Sequence, residues 1–376
     1  MTTDTRICAL VARGLRSVGF ALALGLLGLA SVNANAASVC GKRYVASGDY
    51  IPAGRDIGQA DRYPELLVSD HLQMYGYCVY NIAKDGTTSS GIISGGQLAT
   101  TWNRAPNLIT LTVGEQNSGI VKIIDSCFDK VKDHDFTGAA TCASEVLANN
   151  SAWSGLTSNL TTTLQQYRTM MSGRPSLVVA VLNYPNPYPN SASALTNLPL
   201  LCVPLIDTIP TCTARWAQFP VALELIDQAI RKLNTTILNA TQPFINSSNR
   251  FVFVDVYSKF QNHCMKMDVS IKTTVEHPEQ NGAVHQHDSS KDFGCSSPWF
   301  VEGDTGTETP TYLEPAALGV LINKSQTTEG MGVSVNEDGQ KCIADAIWEA
   351  DTIDPGITPL KWKLGVPEAP NSNICQ

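Results

Sequence analysis

Short apolar runs rich in β-branched residues alternate along the chain with longer stretches whose apolar residues recur every three or four positions. That alternation constrains the fold more than any other feature. The runs span 43–46, 77–82, 108–113, 177–182 and 251–256, and helical spacing marks Tyr63 to Met74, Gly119 to Val131, Ser158 to Met171 and Val221 to Leu238. Strands joined through helices return in the same direction and pair in parallel, with right-handed crossovers. The expectation is an α/β fold, a three-layer αβα sandwich on a five-stranded parallel sheet. With 43% hydrophobic residues, the 376-residue chain can bury a core of that size, and disordered and fibrous classes are excluded. No internal repeat is visible. Linker-like composition is confined to Thr305 to Pro310 and the tail from Pro367, so one domain with loop insertions is expected over 37–376. In such a sheet the loops at the carboxyl ends of the strands are where a ligand site belongs.

Arg13 and Arg16 precede an apolar run from Val18 to Ala30 that is too short to span a bilayer and ends at Ala34-Asn35-Ala36. The pattern reads as a signal peptide over 1–36, which implies a secreted, extracellular protein with no stable membrane span. Ten cysteines remain beyond it, and no spacing suggests zinc. An even number in an exported chain implies disulfides. Sequence leaves their connectivity open; pairing nearest neighbours closes modest loops without crossing and gives Cys40–Cys78, Cys127–Cys142, Cys202–Cys212, Cys264–Cys295 and Cys342–Cys375. Asn-x-Ser/Thr triplets begin at Asn149, Asn159, Asn234, Asn239, Asn246 and Asn323 and suggest a glycoprotein, although such triplets also arise by chance in a chain rich in Ser, Thr and Asn. A formal charge of −8 without Lys/Arg clusters makes nucleic acid or an anionic membrane a poor partner. No cofactor or metal is expected, and a monomer is.

The strand-end segments resemble a known family. Tyr44-Val45-Ala46-Ser47-Gly48-Asp49-Tyr50-Ile51-Pro52-Ala53-Gly54 aligns without a gap on the first block of the SGNH, or GDSL-type, hydrolases. Asn81-Ile82-Ala83-Lys84-Asp85-Gly86-Thr87-Thr88 is similar to the second block, Ile109-Thr110-Leu111-Thr112-Val113-Gly114-Glu115-Gln116-Asn117 to the third, and Val335-Asn336-Glu337-Asp338-Gly339-Gln340 to the fifth. The resemblance implies a flavodoxin-like five-stranded parallel sheet and descent from carboxylic-ester hydrolases, with a small ester, lipid or acylated glycan as ligand. It also implies an oxyanion hole at Gly86 and Gln116. The family's catalytic positions are replaced: the serine nucleophile by Tyr50, the histidine by Ser334, and the aspartate three residues before it by Met331. A phenol with no adjacent base is a poor acyl nucleophile. The ordinary Ser-His-Asp mechanism is therefore expected to be lost.

Several residues offer replacements. His285 and His287 form a His-x-His beside Asp288, a pattern that binds metal or supplies a base; the alternative is an exposed polar loop. Ser47 precedes the strand-end turn, so its side chain is expected to pack in the sheet. Asp85 and Glu115 add carboxylates to strand-end loops beside Asp49, and paired carboxylates can do acid/base work or hold a hard cation. Against that, Asp85 can pair with Lys84 or another cation and Glu115 with loop amides. Asn117, Tyr184 and Trp299 complete the groove candidates, the aromatics as a platform for a sugar or acyl chain or simply as core. Three readings stay open: an esterase with relocated groups, a non-catalytic binder of lipid or glycan, and new chemistry through Asp85 and Glu115. Tyr50 is expected to plug or line the oxyanion site.

Overall fold

A computed structural model describes residues 40–127, 129–130, 135–188, 218–248, 250–260, 263, 266–277, 283–294, 319–322, 335–350 and 364; for 124–125, 266–277, 283–294 and 319–322 only the backbone is described. The chain divides into two units, Met1–Gly41 and Lys42–Gln376, and the elements below belong to the second. They are β1 (Lys42–Gly48), α1 (Tyr50–Ala53), α2 (Tyr63–Leu66), β2 (Tyr77–Asn81), α3 (Gln97–Arg104), β3 (Leu108–Thr112), α4 (Glu115–Ser118), α5 (Phe136–Ala148), α6 (Asn150–Ser172), β4 (Val178–Leu182), α7 (Phe219–Ser247), β5 (Phe251–Val254), β6 (Lys266–His277), β7 (Ala283–Gly294), β8 (Gly319–Ile322) and α8 (Glu337–Trp348).

The first five strands form one parallel sheet in the order β2-β1-β3-β4-β5. This is the flavodoxin-like order, whose direction of winding reverses between β1 and β3. β3, β4 and β5 are buried at every position, so both faces are covered; β4 and β5 read as continuous apolar segments, while β3 buries Thr110 and Thr112 as well. Helix contacts sort the covering layers, α2 with α8 and both α5 and α6 with α7. Asn149 starts α6 as its N-cap, accepting from the Ala152 N–H, and Asp135 does the same for α5 from Gly138. The expected helix from Tyr63 to Met74 is present but irregular: α2 runs on through a π-turn at Leu67–Leu72 and a 3₁₀ turn at Gln73–Tyr75. The periodicity expected over Gly119 to Val131 is likewise broken into Ile120–Lys122 and a π-turn at Ile123–Cys127.

One stretch corrects the sequence reading. The segment with His285 and His287, for which a polar loop was the alternative to a metal- or base-bearing site, is part of an antiparallel hairpin of β6 and β7, extended by β8 into a three-stranded sheet. His285 lies opposite Val275 and His287 opposite Thr273. Of the expected disulfides, Cys127–Cys142 is formed. Cys40, Cys78 and Cys342 are each disulfide-bonded as well. Cys202, Cys212, Cys264, Cys295 and Cys375 lie outside the described residues, as do Trp299, Met331 and Ser334. Among the described residues no helix is long and apolar enough to cross a membrane.

Candidate functional site at the strand ends

The winding reverses between β1 and β3, the place where a sheet of this order keeps its ligand crevice, and the loops of the first three blocks meet there at the carboxyl ends of the strands. Their backbones are knitted together: the Asp49 N–H donates to Thr112 O at 3.0 Å and the Lys84 N–H to Gly48 O at 3.1 Å. Gly48 makes the approach possible. Its φ is +145°, and a Cβ at that position would lie 2.1 Å from the carbonyl oxygen of Thr112. Gln97 of α3, fully buried, completes the turn with both ends of its amide. Its oxygen accepts from the Ser47 hydroxyl at 2.8 Å and the Gly48 N–H at 2.9 Å, and its nitrogen donates to Gly48 O at 2.9 Å and Thr87 Oγ1 at 3.0 Å. Ser47 is thus held inside the sheet and does not face the crevice as a nucleophile.

Asp49 is completely buried. One carboxylate oxygen, Oδ2, accepts from the Tyr184 phenol, and Oδ1 has no hydrogen-bond partner. Burial raises the carboxyl to about 7, against the lowering effect of the Tyr184 bond. Tyr184 is itself positioned by Asn234 of α7, which accepts from its backbone N–H at 2.9 Å and donates to its carbonyl at 2.8 Å. Tyr184 and Tyr188 are each 2% exposed, so neither is an open platform.

Tyr50 occupies the first turn after β1 and is 6% exposed. Burial, reinforced by the negative charge of Glu115 and Asp49, pushes its phenol well above the ordinary value of 10, and Arg55 only partly offsets this. At neutral pH it is therefore a neutral phenol. Tyr184 is pushed up in the same way, by burial first and then by Asp49 and Glu115. The guanidinium of Arg55 lies over the Tyr50 ring at 6.0 Å from its centroid. Arg55 also forms an ion pair with Asp85, its Nε donating to Oδ2 at 2.7 Å. The cation that Asp85 pairs with is thus Arg55.

Glu115 is 3% exposed at the start of α4, where its backbone N–H donates to the Tyr184 hydroxyl at 3.4 Å. Gln116 and Asn117 are half-buried in the same turn, and Asn117 Oδ1 accepts from the Ser89 N–H. Gly86 is exposed with φ +71°, and a Cβ built on it would meet nothing within 4 Å. The space on that side of Gly86 is open: Tyr50 does not fill it, and its ring lies instead beneath Arg55, in the field of Asp49 and Glu115. Among the described residues no group of three or more His, Cys, Asp or Glu is arranged to hold a metal ion.

Sequence reasoning missed Arg55, Gln97 and Asn234. Arg55 follows the first block directly, and its cationic side chain near two added carboxylates was the one available signal. Nothing in the spacing marks Gln97 or Asn234, which reach Gly48 and Tyr184 across 49 and 50 residues.

No family model and no curated protein matches the chain. Solved structures similar to it include an extracellular lipase from Streptomyces rimosus, with 16% identity and a TM-score of 0.46 over 82% of this chain and 100% of that one. A lipase from a goat rumen metagenome matches at 18% identity and TM-score 0.36, over 58% and 82%. An acetylxylan esterase from Geobacillus stearothermophilus matches at 12% and 0.31, over 58% and 78%. Overlaps this distant describe partial agreement of chain path and bear on neither activity nor substrate.

Proposed function

We propose that this chain is a secreted protein of SGNH-hydrolase descent whose strand-end crevice binds a small ester, lipid or acylated glycan without forming a covalent acyl-enzyme. The observation that carries the reading is the state of Tyr50. A serine-type mechanism needs at that position a hydroxyl that is exposed, small and partnered by a base. Tyr50 is buried, aromatic and held neutral, with two acidic neighbours that make phenoxide harder to form. Ser47, one candidate substitute, is tied to Gln97 inside the sheet. Asp85 is engaged by Arg55, which weakens the reading of Asp85 and Glu115 as a working acid/base pair. His285 and His287 are left as the remaining sequence candidates for a relocated base.

The test pairs a serine-directed fluorophosphonate probe with short p-nitrophenyl esters. The expected results are no labelling, and ester turnover below about 0.01 s⁻¹, far under the ordinary enzymatic range. Labelling of a single serine together with turnover near 1–10 s⁻¹ would replace the binder with an esterase whose groups have moved. In the binder, Tyr50→Ser with Ser334→His reopens the nucleophile position and should raise turnover above that of the unmodified chain.

A further inference from the structure

Arg55 and Asp85 stand on two different strand-end loops, one after β1 and one after β2, and their ion pair links the two loops. Three features of the backbone bear on what the bridge does. Gly54, immediately before Arg55, has φ +61°, and Asp56, immediately after it, has φ +66° although it is not glycine. Gly86, immediately after Asp85, has φ +71°. Left-handed backbone at a residue with a side chain costs on the order of 1 kcal/mol and persists where surrounding contacts hold it. Gly54 is held by the cap of α1, its N–H donating to the Tyr50 and Ile51 carbonyls, and Arg55 leaves that cap between two left-handed residues. The side chains at the bridge are partly exposed, 19% for Arg55 and 41% for Asp85, while Tyr50 under the guanidinium is almost fully covered.

We infer that the Arg55–Asp85 pair is a strap that closes the crevice over Tyr50, and that its opening, by rotation at Gly54 and Gly86, uncovers Tyr50 for a ligand. A partly exposed ion pair is worth little, about 1 kcal/mol or less, and is screened by salt, so the closed state is held weakly and opens without unfolding the sheet. The inference rests on the binder reading for what enters, but the movement itself is read out without any ligand.

The experiment is hydroxyl-radical footprinting of the full chain, with oxidation of Tyr50 measured by peptide mass spectrometry against Tyr44 and Tyr167, both fully buried. In the unmodified protein Tyr50 should be oxidised as slowly as Tyr44. Asp85→Asn should raise oxidation of Tyr50 at least threefold with Tyr44 and Tyr167 unchanged, and Asp85→Glu should restore much of the protection. In the unmodified protein, going from 20 mM to 1 M NaCl should raise Tyr50 oxidation in the same selective way; this arm decides the matter if Asp85→Asn also exposes the core tyrosines. Selective protection of Tyr50 that neither salt nor Asp85→Asn changes would overturn the strap. Fluorophosphonate labelling would remove the binder reading and leave this measurement untouched.

Discussion

Two carboxylates are buried to the same degree in this molecule and live differently. Asp49, at the end of β1, is 0% exposed, with Oδ2 on the Tyr184 phenol and Oδ1 unpartnered. Asp345, in α8, is 1% exposed, with Oδ1 at 2.7 Å from His71 Nε2 and Oδ2 unpartnered. The difference is the partner. A phenol held above its ordinary pKa gives one hydrogen bond and no positive charge, so burial wins and the Asp49 carboxyl rises to about 7. Asp345 instead faces an imidazole nitrogen 2.7 Å away. His71 is also stacked on Trp348 at 5.1 Å and 13°, so the pair joins the π-turn after α2 to the closing helix. Equal burial therefore goes with a raised carboxyl at the end of β1 and with a packed clasp at α8.

The largest effect is expected from breaking the clasp. His71→Ala strands Asp345 with both oxygens unpaired and removes the ring stack; urea unfolding should show a loss of about 4 kcal/mol. A loss under about 1 kcal/mol would mean that the pair holds nothing together. Next comes the sign of the pH dependence at Asp49. Its folded value is about 7 and its unfolded value near the ordinary 3.9, so between about pH 4 and 7 the folded state keeps a proton that the unfolded state has released. Its contribution is full below pH 4 and is lost as pH rises through 7. Relative to Asp49→Asn, the unmodified protein should weaken by an amount on the order of 3 kcal/mol from pH 4 to 8. A pH-independent difference between the two would show that the carboxyl is not raised.

Tyr184→Phe sharpens the contrast from the partner's side. It removes the one side-chain donor to Asp49, and should cost about 1.5 kcal/mol while extending the pH-dependent window upward, measured by the same unfolding series. The smallest effect is expected among the Asn-x-Ser/Thr triplets. Asn239 is exposed on α7, and Asn239→Gln should change stability by less than about 0.5 kcal/mol. Asn234, whose amide is spent on both backbone groups of Tyr184, should be found bare by peptide mapping after expression in a glycosylating host. A glycan there on folded protein would contradict the Asn234–Tyr184–Asp49 chain of contacts.

The sheet was legible because β4 and β5 leave unbroken apolar runs in the sequence and β3, though it carries Thr110 and Thr112, is β-branched and apolar elsewhere. The β6–β7 hairpin was legible in one half only: Lys266–His277 alternates at Met267, Val269 and Ile271 as a strand does, whereas Ala283–Gly294 is mostly polar and shows no such alternation. At the crevice, block order was enough to bring Asp49, Tyr50, Gly86 and Glu115 to neighbouring strand ends. What those residues do there depends on side chains that arrive from distant segments: Gln97 from α3, Tyr184 after β4, Asn234 from α7. Their contacts follow from how layers pack, which no local spacing records. Arg55 is the intermediate case, adjacent in sequence but given meaning only by the reach of its guanidinium to Asp85.

Gly48 carries a lesson for anyone who uses such motifs to annotate genomes. Its missing side chain lets β1 pass within contact of the Thr112 carbonyl, so any other residue there would have to push β1 and β3 apart. The glycine of the first block is therefore retained by the architecture of the sheet, whatever stands two positions later. A search that scores Gly48 as the sign of an enzyme is counting a structural necessity, and the residue at position 50, not the glycine, bears on the reaction.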